Sequence, residues 1–113
     1  MLYALMGTGC QEVTRVSSPD ADVVVGRWKD GRIGTVRALR PSSGYGAVVF
    51  RPKGVVQSNE KMATGYGPLL KEIARFFESR VAPVANEETL EIFAFMDAAQ
   101  RSKEADGRPA RLR

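Results

Sequence analysis

The chain has 113 residues, 43% hydrophobic and 27% charged, with a formal net charge of +4, one Cys and no His. That length and balance fit one folded domain, residues 1–113, able to bury a core without disulfides or metals. Without His, neither a Ser-His-Asp nor a Cys-His nucleophile system can be built from this chain alone, and Cys10 as the sole soft ligand makes a poor zinc site.

No run approaches the roughly 18 consecutive apolar residues of a membrane span. The apolar start, Met1 to Met6, lacks the basic leader and the length of a signal peptide. With one cysteine that cannot pair internally, these features point to a reducing, cytoplasmic setting. Arg101, Lys103, Arg108, Arg111 and Arg113 gather near the C-terminus but are interrupted by Glu104 and Asp106. They suit a solvated helix end, where cations oppose the negative pole of the helix dipole, better than a nucleic-acid surface.

In chain order, Leu2, Leu5 and Met6 have helical spacing, and Gly7 is placed to stop that helix. Gln11 to Ser17 alternates weakly as a strand, and Ser18-Pro19-Asp20 is a turn. Ala21 to Trp28 is a β-branched run, Asp30-Gly31 is a hairpin signal, and Ile33 to Leu39 is the return strand. A two-residue Asp30-Gly31 loop pairs Trp28 with Ile33, Gly26 with Thr35 and Val24 with Arg37. It leaves Val23, Val25, Arg27, Gly34, Val36 and Ala38 on the other face, so neither face is clearly polar.

A third strand is expected over Tyr45 to Arg51 and a short one over Val55 to Ser58. From Pro68 the apolar period changes to that of a helix, with Leu69, Leu70, Ile73, Phe76 and Phe77 as its stripe through Ser79. Val81-Ala82-Pro83-Val84 is an extended connector. Asn86 then caps a second helix that ends near Lys103, with Leu90, Phe93 and Met96 as its apolar face and Ile92, Phe95 and Ala99 widening it. Residues 108–113 are a tail or an edge strand. Strands followed by helices predict an α+β fold: a mostly antiparallel sheet, two C-terminal helices on one face, the other face open for an interface.

The motifs carry little chemistry. Gly7-Thr8-Gly9 contains G-x-G, but Glu12 stands where a dinucleotide fingerprint needs its third glycine. Gly44-Tyr45-Gly46 and Gly65-Tyr66-Gly67 are entry turns with the tyrosine packed below. Glu60-Lys61-Met62 is a solvated loop pair. Arg37 and Arg40 project from opposite faces of the return strand, where they could hold a carboxylate or phosphate or simply reach solvent. Glu87, Glu88 and Glu91 are helix-start residues.

Several segments together resemble one family. They are Trp28-Lys29-Asp30-Gly31-Arg32-Ile33-Gly34-Thr35, Tyr45-Gly46, Tyr66-Gly67-Pro68-Leu69-Leu70-Lys71-Glu72-Ile73 with Phe76-Phe77, and Pro83-Val84 followed by Glu88 to Ala99 and Ser102-Lys103. In this order they resemble the C-terminal domain of the Gfo/Idh/MocA (glucose–fructose oxidoreductase / inositol dehydrogenase) oxidoreductases. The resemblance implies two-domain enzymes that use NAD or NADP on sugars and cyclitols, with the nucleotide fingerprint and an E-K-P lysine in a preceding Rossmann domain. It also implies a D-x-x-x-H motif on the helix that this chain enters at Met1 to Met6, and a sheet used for substrate binding and dimerisation.

None of those catalytic elements is in this sequence, so no catalytic, cofactor-binding or metal-binding residue is assigned to any position. The expectation is a truncated C-terminal domain, inactive and without bound cofactor on its own, that forms a homo-oligomer through the open sheet face. NAD(P) and a sugar-like substrate would belong to a full-length parent, and neither nucleic acid nor membrane is an expected partner. The alternative is a stand-alone interaction or dimerisation module with no redox role.

Overall fold

A computed structural model describes residues 1–42, 44–58 and 65–113. The chain divides into two compact units, Met1–Ser42 with Val84–Arg113, and Ser43–Pro83. The class is α+β, as the separation of strand and helix signals predicts.

The first unit holds α1 (Leu2–Met6), β1 (Cys10–Ser17), β2 (Ala21–Trp28) and β3 (Ile33–Leu39). The second unit supplies β4 (Val48–Arg51), β5 (Gly54–Gln57) and α2 (Gly67–Ser79), after which α3 (Asn86–Glu104) and β6 (Ala110–Arg111) return to the first. The four-stranded sheet runs β3-β2-β1-β6 with every neighbour antiparallel. Residues 108–113 thus include an edge strand, fixed where Ala110 pairs with Val13 and Arg111 with Glu12.

The β2–β3 register differs from the expected one by one residue: Arg27 pairs with Ile33, Gly26 with Gly34, Val25 with Thr35, Val24 with Val36 and Val23 with Arg37. The loop has three residues, not two. Trp28 N–H donates to the Arg32 carbonyl at 2.8 Å, Gly31 N–H donates to the Trp28 carbonyl at 2.9 Å, and Gly31 takes φ 86°. This is a turn followed by a left-handed glycine, the usual three-residue hairpin. A one-residue slip exchanges the faces of the whole return strand. In the expected register Thr35 would stand opposite Gly26, where Gly34 lies against Trp28, Leu2 and Met6; in the observed one Gly34 is inside and Arg37 is on the open face.

The covered face explains the choice. Gly26 and Gly34 are cross-strand neighbours, and a Cβ on Gly26 would stand 2.8 Å from both Trp28 and Phe95. A Cβ on Gly34 would stand 3.1 Å from Trp28 and 2.9 Å from Leu2. The two glycines are the floor on which the indole lies, a close approach that any side chain would block. Trp28 is 1% exposed and donates its Nε1–H to the Gly7 carbonyl at 2.9 Å, so the buried ring keeps its polar atom satisfied. Tyr3 and Phe95 complete an aromatic cluster, with ring centroids 5.8 Å apart and nearly perpendicular.

One long helix, α3, covers this face through Phe95, Ala98, Ala99 and Ser102, with Ile92 half-buried. The expected stripe of Leu90, Phe93 and Met96 is exposed instead. Alanine and serine let the helix approach the sheet closely, whereas the larger side chains point away. The N-cap is Ala85 and Asn86 is the first helical residue, so Asn86 does not serve as the cap. Glu87 and Glu88 lie in the first turn and Arg101 and Lys103 in the last, as the helix dipole favours.

In the second unit, β4 and β5 form an antiparallel hairpin pairing Val49 with Val56 and Arg51 with Gly54. The third strand is therefore shorter than the expected Tyr45 to Arg51. Helix α2 carries proline in its first turn, as expected, and ends at Arg80, whose φ is 57°. Leu69, Leu70, Ile73, Phe76 and Phe77 form its apolar stripe and remain exposed.

Candidate functional site

The feature that stands out chemically is the sheet face turned away from α3. The registers place Arg111, Glu12, Arg27 and Ile33 in one row across four strands. Thr14, Val25 and Thr35 form the next row, Val16, Val23 and Arg37 the third, and Ala21 with Leu39 the last. Val16 is 66% exposed and Ile33 65%, while Leu39 is also exposed and Val23 and Val25 are half-buried by their neighbours. The strand residues of this face thus form a β-branched centre with charge at two opposite corners. Contiguous exposed apolar surface of this kind marks an interface more often than chance allows.

At the first corner Arg27 Nη2 lies 3.1 Å from Glu12 Oε1. A bulge between Cys10 and Glu12 leaves Gln11 as the extra residue of β1 and turns Glu12 onto the open face, while Cys10 stays on the covered one. The bulge also opens a recess of about 340 Å³ lined by Cys10, Gln11, Glu12, Arg27, Arg111 and Leu112. At the other corner Arg37 makes no ion pair among the described residues.

Behind the open face, two polar clusters fix the strands that form it. Glu91 takes the backbone N–H groups of Gly9 at 2.7 Å and Cys10 at 2.8 Å on Oε1, which also accepts the Tyr3 hydroxyl at 3.1 Å. Burial, followed by the Glu91 charge, pushes the Tyr3 phenol well above its ordinary range. Burial also raises the Cys10 thiol, with a further push from Glu91, so Cys10 stays a neutral packing group rather than a nucleophile. In the second cluster Asp22, 4% exposed, receives Arg15 Nε at 3.0 Å, the Ser17 hydroxyl and the Arg40 guanidinium. Ser102 Oγ, fully buried, accepts the Arg15 backbone N–H at 2.9 Å and ties α3 to β1.

These contacts settle several motifs. Gly7 stops α1 as expected, but the amides that a phosphate-binding turn would offer at Gly9 and Cys10 already donate to Glu91, the protein's own anion. The turn therefore does not fit a dinucleotide. Glu91 is not merely a helix-start residue: it reaches back across the chain, a role no local pattern could signal. Arg37 and Arg40 do point to opposite sides, Arg37 onto the open face and Arg40 onto Asp22. Tyr45 and Tyr66 are exposed rather than packed beneath their glycine turns. Glu60-Lys61-Met62 lies outside the described residues.

Among the described residues no group of three or more His, Cys, Asp or Glu side chains could hold a metal ion, and no helix is long and apolar enough to cross a membrane. The chain matches no protein-family model, no curated protein and no solved structure.

Proposed function

We propose that this chain is the C-terminal, sheet-bearing domain of an NAD(P)-dependent Gfo/Idh/MocA-type oxidoreductase acting on sugar-like alcohols in the cytoplasm. By itself it performs no redox chemistry and associates with a second copy through its open sheet face. The observation that carries this reading is the one-sided sheet: α3 buries Val13, Trp28 and Gly26, while Val16, Ile33 and Leu39 of the same strands stay open. The ordered motifs from Trp28 to Thr35 and from Pro83 to Lys103 support the family half of the reading. The nicotinamide would supply the hydride chemistry in the whole enzyme, and this domain would contribute a rigid wall and an interface.

The two halves of the proposal have separate tests. Sedimentation velocity of the purified chain should show a dimer that a Val16→Asp, Val25→Lys variant abolishes without loss of far-ultraviolet helix and strand signal. A wild-type chain that stays monomeric at high concentration overturns the interface. The DNA immediately upstream of the Met1 codon tests the family half: an in-frame Rossmann domain ending in D-x-x-x-H is expected. Calorimetry with NAD and NADP on this chain should give no saturable heat, and tight binding would overturn the assignment of redox chemistry to another domain.

A further inference from the structure

The four-stranded sheet ends differently at its two edges. At one edge β6 is two residues long and follows directly on Pro109, so it offers a further strand almost no backbone. At the other, β3 runs for seven residues, Ile33–Leu39, with no proline in it and no bulge against β2. Shortness, proline, bulges and charge are what keep an edge from pairing. Of these β3 has a single arginine, Arg37.

The hairpin decides which backbone groups this edge presents. Trp28 N–H donates to the Arg32 carbonyl at 2.8 Å and Arg40 N–H to the Asp20 carbonyl at 2.9 Å, so the even-numbered pairs of the β2–β3 ladder are the hydrogen-bonded ones. Gly34, Val36 and Ala38 therefore bond to β2, and the N–H and C=O groups of Ile33, Thr35, Arg37 and Leu39 point away from it. Among the described residues no strand pairs with these outward groups. Side chains on both sides of the edge are exposed too, Ile33 and Leu39 on the open face and Val36 on the other.

We propose that β3 pairs edge to edge with β3 of a second copy, antiparallel about a two-fold axis through Val36, so that two sheets continue into one. A second copy fits because the strand is complementary to itself. Outward groups meet only where odd residues face odd ones, and of the two-fold registers that do this only the one centred on Val36 pairs all seven residues. It sets Ile33 against Leu39, Thr35 against Arg37 and Val36 against itself, with about eight new backbone hydrogen bonds. Centring on Arg37 opposes two arginines, and centring on Thr35 leaves Ala38 and Leu39 beyond the pairing. Gly34, already against Leu2 and Met6, meets only the methyl of Ala38. This contact is separate from the open face and does not rest on it. One strand edge covers less than the roughly 1,000 Å² of a stable interface, so the pairing is transient and is read by trapping.

Cysteine cross-linking at high protein concentration is the test, with far-ultraviolet circular dichroism as the check on folding. Val36 and its copy form a non-hydrogen-bonded pair, about 4.5 Å apart at Cα, which a disulfide spans. Val36→Cys under mild oxidation with diamide should give a covalent dimer on a non-reducing gel, with wild type as the blank because Cys10 is buried. Thr35→Cys and Arg37→Cys do not oppose themselves and should each give about fivefold less. Adding Thr35→Pro removes an outward N–H, spares the β2 ladder and should cut the Val36→Cys yield about fivefold. If the proline variant unfolds, Thr35→Lys replaces it by setting a lysine against Arg37 of the other copy. In the Val16→Asp, Val25→Lys background the cross-link should persist, and its loss there would overturn the edge as a contact of its own. Equal yields from Thr35→Cys and Val36→Cys overturn the register; no dimer above the blank overturns the pairing and leaves the open face untouched.

Discussion

On the α3 side of the four-stranded sheet, Val13, Gly26, Trp28 and Gly34 are buried, with glycines opposite each other beneath one indole. On the other side the same strands carry Val16, Val25, Ile33 and Leu39 between charged corners, and Val16, Ile33 and Leu39 are exposed. The two faces have similar hydrophobicity but unlike shape. The covered face is specified by small residues that admit a ring and a helix. The open face carries branched side chains, among them Val16, Val23, Val25 and Ile33, with Glu12, Arg27, Arg37 and Arg111 around them.

If that contrast is right, substitutions on the two faces separate in kind. The largest loss is expected at Trp28→Ala, about 3–5 kcal/mol by urea unfolding, because the cavity would open between two aromatic neighbours, Tyr3 and Phe95, that nothing can replace. Gly26→Ala comes next, at about 1–3 kcal/mol, since its Cβ overlaps Phe95 and Trp28. Glu91→Ala should cost about 1–3 kcal/mol by leaving the Gly9 and Cys10 amides without their acceptor. On the open face Val16→Thr and Ile33→Thr should change monomer stability by less than about 0.5 kcal/mol while weakening self-association in the same samples. Equal losses on both faces would erase the comparison.

A smaller effect concerns pH. Tyr3 and Cys10 are both raised above their ordinary values of 10.0 and 9.0 in the folded chain. For each acid the neutral form is favoured by folding, so this stabilisation is fully present below the unfolded value and is lost as pH rises through and above it. Urea midpoints should therefore fall between pH 8 and pH 10.5, and Tyr3→Phe with Cys10→Ala should flatten the slope. An unchanged slope in the double variant would place the alkaline sensitivity elsewhere.

The strand and helix positions were legible wherever a residue pattern has one physical meaning. The β-branched run from Ala21 to Trp28 and the return from Ile33 to Leu39 match β2 and β3 at both ends. Helix α2 was readable from Pro68 and its apolar period, and α3 from its spacing and acidic first turn. The buried side of α3 was legible only in Ile92, Phe95 and Ala99, because hydrophobicity also singles out Leu90, Phe93 and Met96, while closeness of approach adds Ala98 and Ser102. The Glu91 and Asp22 clusters were hidden for another reason. Their partners lie on other elements: Glu91 spans 82 residues to Gly9, and Arg40 reaches Asp22 from beyond the end of β3.

By itself the sequence determined the α+β class, the ends of β2 and β3 and the absence of histidine chemistry, since these depend on residue type and near-neighbour spacing. Only the tertiary structure decided which face each strand residue occupies. Asp30-Gly31 accommodates either loop length, and the choice is made at a distance: the observed register keeps Gly34 opposite Gly26 against the Trp28 ring and Leu2, where the expected register would put Thr35. One residue of register thus separates a sheet that would set Thr35 against the indole from one that keeps a glycine there and presents Arg37 on the open face.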